Sequence, residues 1–427
     1  MRFADALARL DARQPEHMPE PSLDRIRAIA ELLDDPQLTY PSIHVTGTNG
    51  KSTAARVAAS VACAHGVTTG LFTSPHLLSV TERFSVCGDD ITEAEFAEEW
   101  QHLEPYLDVV DGHGPVAVTY FEAVTALAYL WFADKPVGLG VFEVGMGGSW
   151  DATNLVDGRV AVVTPIGMDH VAELGPTLAD IAGEKAGILK AAGATAVLRE
   201  QDPVAAEVLA ARAVEVGCTP RWEGPDWEVE ERLLAVGGQA FRLRGLHATY
   251  EDLYLPLFGD YAVHNTAAGI VAVEALTGQP LHEETLREGL AAVQSPGRLE
   301  IVALQPSVIL DGAHNPAGAA ALAKAMRESF RWERLHLVLA ISANKDLAGI
   351  CAPLAPLADE AYVARNESVR SADPADVADA LGRPAASFGS VAAALAAARA
   401  AADPRDIVLV TGSLFTVADA KRALAAR

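Results

Sequence analysis

Residues 43–52 read IHVTGTNGKS, and this stretch decides the fold of the first half of the chain. A short β-rich run comes first, and a polar loop framed by two glycines follows it. Residues 53–65 are then rich in alanine, which favours a helix. The order strand, glycine loop, helix predicts a phosphate-binding loop, because glycines let successive backbone N–H groups turn toward one anion at a helix N-terminus.

The loop residues have separable roles in this interpretation. Backbone N–H groups would hold the phosphates, Lys51 would reach the β- and γ-phosphates, and the Ser52 hydroxyl could bind Mg²⁺. The loop consists of Gly47, Thr48, Asn49, Gly50, Lys51 and Ser52. Because residue 45 is valine, the loop is shorter than the GxxxxGK loop of common P-loop ATPases. The alternative is a glycine–asparagine turn that precedes a lysine by chance.

Strand-like and helix-like segments alternate along the chain, which is typical of a parallel sheet covered by helices. Strands are predicted at 43–46, 69–73, 137–144 and 160–166, and helices at 51–65, 92–110, 178–189, 204–216, 263–276 and 283–293. Residues 221–256 read as a small antiparallel insertion. After a Ser-Pro-Gly-Arg break at 295–298, strands are predicted at 308–310, 335–341, 361–364 and 407–410, with a helix at 391–402.

The fold class predicted is α/β, with two domains. Residues 1–295 would form a P-loop parallel-sheet ATP-binding domain with the antiparallel insertion. Residues 296–427 would form a smaller, Rossmann-like α/β domain.

Charge and composition argue against several classes of function. The chain has 33 basic and 57 acidic residues, and its net charge of −24 disfavours nucleic acid and anionic membrane surfaces. The apolar run 116–133 contains Glu122 and two threonines, which indicates a buried helix rather than a membrane span. Four widely spaced cysteines, none in a CxxC pair, argue against a zinc cluster or a disulfide framework. We therefore expect a cytoplasmic monomer.

Two further residues stand where parallel strands end. Glu143 closes the strand 137–144, and His170 lies just after the strand 160–166. Ligands of α/β proteins bind at this edge of the sheet, so Glu143 and His170 are candidate metal ligands. The alternatives are a solvated carboxylate at a strand end and a structural histidine.

Ten motifs, in this order along the chain, resemble folylpolyglutamate synthase/dihydrofolate synthase, the folate branch of the Mur-ligase superfamily. The motifs are GTNGK (47–51), TSPHL (73–77), TYFE (119–122), EVGMGG (143–148), DATN (151–154), DH (169–170), GEKAGI (183–188), SPGRLE (295–300), DGAHNP (311–316) and TGS (411–413). Family members usually carry glycine after the loop lysine, whereas here either Ser52 or Thr53 could face the metal. Many also carry a basic residue after the Ser-Pro-His motif; this chain has Ser79 there, although Arg83 remains.

The resemblance implies roles for particular residues. The loop 47–52 would hold ATP, together with Asn265, Arg298 and Asp311. Magnesium would be bound by Ser52, Ser74, Glu143 and His170. The candidate catalytic residues are Lys51, Lys185, which these enzymes carbamylate, and His314. The folate-type substrate would contact Thr119, Tyr120, Phe121, Glu122, Trp150, Asp151 and Ala152, and Ser413 would help His314 to place the incoming glutamate.

Structural alternatives remain for several of these residues. Lys185 could lie on an exposed helix face, paired with Glu184 or Asp180. Arg298 could form an ordinary salt bridge, and His314 could cap the helix that begins near Pro316. Tyr120 and Phe121 could simply belong to the core.

The reaction implied by the resemblance is an amide ligation. ATP would convert a carboxylate into an acyl phosphate, which the amine of L-glutamate then attacks. The acceptor would be dihydropteroate, a tetrahydrofolate, or both. One alternative is a cell-wall ligase of the same superfamily acting on a UDP-linked sugar acid. Such enzymes need a nucleotide-sugar domain before the loop, and only 46 residues precede Gly47. The other alternative is a non-catalytic nucleotide-binding switch.

Overall fold

The computed structural model describes residues 1–16, 18–190 and 192–426. Two compact units are present. The first comprises Met1–Leu233, Ala240–Leu255 and Val263–Val293; the second comprises Leu234–Gln239, Pro256–Ala262 and Gln294–Arg427.

The first unit is built on a mixed sheet. Its strands are β1 (Ser42–Thr46), β2 (Thr69–Phe72), β3 (Phe84–Val86), β4 (Asp89–Asp90), β5 (Leu139–Glu143), β6 (Val160–Val163), β7 (Thr195–Leu198) and β8 (Thr219–Trp222), in the spatial order β4-β3-β2-β5-β1-β6-β7-β8. Strands β2, β5, β1, β6, β7 and β8 run parallel, whereas β3 and β4 pair antiparallel at one edge. The central strands are fully buried, as expected where helices cover both faces.

Helices and a small sheet complete this part of the chain. The helices are α1 (Phe3–Asp11), α2 (Asp24–Leu32), α3 (Lys51–Ala64), α4 (Glu93–His113), α5 (Tyr120–Asp134), α6 (Val171–Leu174), α7 (Leu178–Ala186), α8 (Pro203–Val216), α9 (Asp260–Thr277) and α10 (Glu283–Ala291). The predicted insertion is a three-stranded antiparallel sheet of β9 (Glu228–Ala235), β10 (Gly238–Arg244) and β11 (Thr249–Leu255).

Strand register aligns the ends that carry the predicted site. Val45 of β1 lies opposite Glu143 of β5 on one side and Val162 of β6 on the other. The carboxyl ends of β1, β5 and β6 therefore meet at one edge of the sheet. The glycine loop, Glu143 and the segment after β6 all leave the sheet there.

The second unit has its own six-stranded sheet. Its strands are β12 (Glu300–Ala303), β13 (Ser307–Leu310), β14 (Leu335–Leu339), β15 (Glu360–Ala364), β16 (Ala386–Phe388) and β17 (Ile407–Thr411), in the order β12-β13-β17-β14-β15-β16. Its helices are α11 (Pro316–Ser329), α12 (Leu347–Leu354), α13 (Pro374–Leu381), α14 (Val391–Ala401) and α15 (Leu414–Ala425). All strands pair in parallel except β12, which lies antiparallel against β13.

Several predicted boundaries move in the structure. The apolar run 116–133 becomes helical only at Tyr120, because Thr119 caps the helix, and most of α5 is buried. Strand β6 ends at Val163, ahead of Pro165. Residues 221 and 222, predicted to begin the insertion, instead end β8 of the main sheet. Within the described ranges, none of the helices has the length and apolar character that crossing a bilayer requires.

The prediction that the cysteines are not disulfide-bonded is wrong for one pair. Cys63 near the end of α3 and Cys87 after β3 form a disulfide, with their Cα atoms 5.5 Å apart. Sequence spacing gave no sign of this pair, since 24 residues separate the two cysteines and only the packing of α3 against the sheet brings them together. Cys218 and Cys351 are buried free thiols.

Candidate active site

Two glycines give the loop its shape. Gly47 and Gly50 have φ angles of +142° and +93°, which side-chain-bearing residues rarely adopt. A Cβ on Gly47 would lie 1.9 Å from Oγ1 of Thr164, and a Cβ on Gly50 would lie 2.2 Å from Nδ2 of Asn265. The loop backbone therefore rests directly on the end of β6 and on α9, and the Asn265 side chain lies against Gly50.

Hydrogen bonds hold the loop to the segment after β6. The Thr48 N–H donates to the carbonyl of Pro165 at 3.0 Å, and the Thr48 hydroxyl lies 3.1 Å from the carbonyl oxygen of Gly167. The Lys51 ammonium donates back to the carbonyl oxygens of Gly47 at 3.1 Å and Thr48 at 3.4 Å. The Lys51 ammonium therefore folds back onto the backbone of the loop that precedes it.

Glu143 faces the start of α3. The Ser52 hydroxyl donates to Oε1 of Glu143 at 2.7 Å, and the backbone N–H of Ser74 donates to Oε2 at 3.3 Å. Glu143 is only 2% exposed, so it is not a solvated cap. Burial raises the pKa of Glu143, while Lys51 and the Ser52 hydrogen bond oppose that rise. Of the two hydroxyls that follow Lys51, the one on Ser52 points at the carboxylate.

Lys185 reaches the same loop from α7. Its side chain is 5% exposed, and Nζ donates to the carbonyl oxygen of Gly47 at 2.9 Å. Burial and the charge of Lys51 lower the pKa of Lys185 from 10.5 to about 7, although Asp169 partly counteracts this. The alternative of an exposed lysine paired with Glu184 or Asp180 is therefore wrong.

His170 follows β6 at the same edge. Its backbone N–H donates to Oδ1 of Asp169 at 2.9 Å, and its ring Nε2 lies 4.0 Å from Oδ2 of that residue. The side chain is 37% exposed, and the residue has a φ of +51°. His170 thus stands beside the carboxylate whose charge acts on Lys185.

The predicted substrate residues at the start of α5 are engaged in local structure. Thr119 and Glu122 form a reciprocal capping box, and Glu122 also accepts from Nε of Arg25 at 2.9 Å. Tyr120 lies under the guanidinium of Arg83, 5.4 Å from its carbon. Phe121 packs on Gly145 and is partly buried. Both aromatic rings pack against the hydrophobic core while keeping part of their surface exposed.

The segment 150–152 stabilises the loop after β5. The Asp151 carboxylate is 2% exposed and accepts from the backbone N–H groups of Met146 and Thr153. The Ala152 carbonyl accepts from the Tyr129 hydroxyl at 2.7 Å, and the Trp150 ring packs near Gly147. Asp151 therefore fixes the conformation of the glycine-rich turn that follows Glu143.

In the second unit, Asp311 directly follows β13 and is 3% exposed. Its carboxylate accepts from the N–H groups of Leu299 and Ala313, at 3.0 and 2.8 Å. Burial raises the pKa of Asp311, and the charge of Arg298 opposes that rise. The two residues predicted to contact ATP in this unit are therefore electrostatic neighbours.

The glutamate candidates of the second unit lie at helix starts. The His314 ring nitrogen Nδ1 lies 2.8 Å from the carbonyl oxygen of Gly312. Asn315, not His314, caps α11, so the capping alternative for His314 is wrong. The Ser413 side chain caps α15 by accepting from the N–H of Phe415.

Arg56 is a charged neighbour of the site that the sequence reasoning missed. It lies one turn after Ser52 on α3, and its guanidinium contacts Oγ1 of Thr73 at 3.4 Å. Its charge also opposes the rise that burial causes in the pKa of Glu143. The i, i+4 spacing from Ser52 could have indicated this position, because such residues share a helix face.

Comparison with known proteins identifies the class of protein to which the chain belongs. The Mur ligase middle domain matches residues 45–273, and the glutamate ligase domain of Mur ligases matches residues 297–414. The chain is therefore a Mur-type ligase with both domains of that class.

Individual related proteins show to which family of Mur-type ligases the chain belongs. A Mycobacterium tuberculosis dihydrofolate synthase/folylpolyglutamate synthase is 43% identical over 389 residues, covering 87% of this chain and 80% of that protein. The chain belongs to the dihydrofolate synthase/folylpolyglutamate synthase family. The M. tuberculosis folylpolyglutamate synthase complexed with ADP superposes with a TM-score of 0.95 at 40% identity, covering 100% of this chain and 98% of that one. Escherichia coli FolC in complex with DHPP and ADP superposes at 0.88 with 34% identity, again covering 100% and 98%.

Proposed function

We propose that this chain is an ATP-dependent ligase that adds L-glutamate to the carboxylate of a folate-type acceptor, either dihydropteroate or a tetrahydrofolate. The observation that carries the proposal is the group formed by Lys51, Ser52, Glu143 and Lys185 around one glycine loop at one sheet edge. The names of the relatives support the glutamate and folate specificity.

The reaction proceeds in two balanced steps. A carboxylate oxygen of the acceptor attacks the γ-phosphorus of ATP, and ADP leaves. The neutral amine of glutamate then attacks the acyl carbon, its nitrogen loses one proton to the departing phosphate or to water, and inorganic phosphate leaves with one oxygen of the original carboxylate. Lys51 neutralises charge on the transferring phosphoryl group, and the N–H groups of the glycine loop orient the triphosphate.

The residues around Glu143 fit a magnesium ion. The Glu143 carboxylate and the Ser52 hydroxyl are hard oxygen donors that lie 2.7 Å apart, and a cation beside them would offset the cost of burying the carboxylate. We propose that Ser52, Ser74, Glu143 and His170 hold the ion. When bound, Mg²⁺ supplies charge neutralisation for the phosphoryl group.

Lys185 is proposed to carry a carbamate. With a pKa of about 7, much of its amine is uncharged near neutral pH, and an uncharged amine can add to carbon dioxide with loss of a proton. The product is an anion with oxygen donors near the loop. This role explains why a lysine is buried beside the cation of Lys51.

The remaining predicted residues take binding roles in the proposal. ATP contacts come from Asn265, Arg298 and Asp311. The acceptor contacts the partly exposed rings of Tyr120, Phe121 and Trp150, while Thr119, Glu122, Asp151 and Ala152 fix the backbone of that region. His314 and Ser413 place the incoming glutamate. We further propose a cytoplasmic monomer that binds neither nucleic acid nor membrane. The net charge of −24 supports only the absence of these two partners, because it repels phosphate backbones and anionic lipids.

Mass spectrometry of reaction products tests the function. The purified chain is incubated with ATP, Mg²⁺ and glutamate, and with either dihydropteroate or a tetrahydrofolate. We expect a product heavier by one glutamate residue, formed together with ADP. Lys51→Ala abolishes it, whereas Lys135→Ala, which removes a surface lysine paired with Glu95, leaves it unchanged. ATP hydrolysis that is indifferent to both substrates, or ligation only to a UDP-linked sugar acid, contradicts the proposal.

A further inference from the structure

A buried hydrogen-bonded cluster joins the ends of β7 and β8 to the glycine loop. Arg199, which follows β7, is 7% exposed, and its Nη1 donates to Oδ1 of Asn265 at 2.5 Å. Its Nε donates to Oε2 of Glu223, which follows β8, at 2.6 Å. Asn265 is itself 3% exposed, so one guanidinium holds a carboxylate and a carboxamide out of water.

Glu223 anchors this arginine. The second oxygen of its carboxylate, Oε1, contacts Nδ1 of His264, and Oε2 also accepts from the N–H of Glu200 at 2.8 Å. Burial alone would raise the pKa of Glu223, but the His264 hydrogen bond and the Arg199 charge lower it to about 2. The carboxylate thus remains an anion, and the guanidinium has a fixed partner on the side away from Asn265.

The cluster determines which end of the Asn265 carboxamide faces the loop. Arg199 has only N–H donors, so it selects the carboxamide oxygen and leaves the NH₂ group on the other side. Nδ2 is accordingly the Asn265 atom nearest to the position that a Cβ on Gly50 would take. A carboxamide without this partner would be free to rotate and present its oxygen to a bound anion, which it would repel.

We propose that Arg199 is a positioning residue for the nucleotide: it holds Asn265 against Gly50 with the carboxamide NH₂ group toward the loop. It acts through Asn265 and does not touch the nucleotide itself. The inference rests on the proposed function in two respects: the loop binds ATP or ADP, and Asn265 contacts the bound nucleotide.

The affinity of the full chain for ADP, measured by isothermal titration calorimetry, tests this role. We expect Arg199→Gln to weaken ADP binding roughly tenfold, the effect of one hydrogen bond. Asn265→Ala has a similar effect. The double variant binds no more weakly than Asn265→Ala within about twofold, because Arg199 acts only through that residue. Arg159→Gln, which removes an exposed arginine of the same unit, leaves the affinity unchanged.

The Arg199→Lys variant distinguishes a loss of positioning from a folding defect. Lysine keeps the charge beside Glu223 but lacks the fork that reaches both partners, so this variant is expected to melt close to the wild-type temperature and still bind ADP more weakly. Wild-type affinity in both arginine variants overturns the proposal, as does an additive loss in the double variant. Because ADP binding is measured directly, a chain that binds ADP but ligates nothing contradicts the proposed function and leaves the role of Arg199 testable.

Discussion

Replacement of Lys185 by arginine tests the role of the buried lysine amine of the site. The pKa of Lys185 is about 7 instead of 10.5. At pH 7.5, roughly 75% of its side chains are uncharged, against about 0.1% for an ordinary lysine, so the reactive amine is nearly a thousandfold more abundant. Arginine keeps a cation at this position and forms no carbamate. We expect Lys185→Arg to lower the ligation rate at least ~100-fold while the chain remains folded.

Carbon-13 NMR with labelled bicarbonate measures the modification directly. Wild-type protein is expected to show a carbamate carbonyl signal that Lys185→Arg lacks. Because the amine must lose its proton first, the signal grows as pH rises through about 7 and fades below it. Lys190 is the matched control, since its pKa is also lowered, to about 8, but Nζ is held by the carbonyl oxygens of Asn154 and Val156. A signal that disappears in Lys190→Arg instead, or full activity in Lys185→Arg, would refute the reasoning.

Three further predictions concern the loop and its supports. Gly50→Ala is expected to weaken ADP binding at least ~10-fold, because the added Cβ would clash with Asn265. Gly66→Ala serves as the control, since Gly66 also has a positive φ but open space around it. Equal effects of the two variants in calorimetry would contradict the steric argument. Glu223→Gln is expected to lose up to about 3 kcal/mol of stability at pH 7. The lowered pKa of Glu223 means that its carboxylate stabilises the fold fully above about pH 4.5, and this stabilisation is lost as the pH falls toward 2. Denaturant unfolding at several pH values measures this effect. In the variant, the free energy of unfolding should fall less steeply between pH 4.5 and pH 2 than in the wild type, and an unchanged slope would contradict the prediction. Arg56→Gln is expected to lower kcat roughly tenfold with little change in melting temperature, and unaltered kinetics would exclude a role for its charge.

The phosphate loop could be predicted from sequence because its chemistry is local. A strand, two glycines and a lysine within ten residues define a phosphate site, and the structure shows both glycines in the backbone conformations that the loop requires. The position of Glu143 at the end of a strand could also be predicted from the sequence, because a continuous apolar run precedes this residue. The fold class followed from the alternation of strands and helices.

Features that depend on packing between distant segments were not predictable in the same way. The partners of Arg199 come from residues 24 and 66 positions further along the chain, and only the parallel order of β7 and β8 together with α9 brings them together. The disulfide has the same origin. The buried state of Lys185 also depends on tertiary packing: the sequence places it in a helix, but the glycine loop that covers it lies 138 residues earlier. Hydrophobic periodicity carries little information about such contacts.

Transfer of oxygen from acceptor to phosphate tests the central claim most directly. A folate-type acceptor labelled with ¹⁸O in the reacting carboxylate is incubated with ATP, glutamate and the full chain, and the released phosphate is analysed by mass spectrometry. We predict one ¹⁸O atom per phosphate for each glutamate ligated, because the carboxylate oxygen that attacks the γ-phosphorus leaves with it. Glutamate ligation that releases only unlabelled phosphate would contradict an acyl phosphate intermediate at this site.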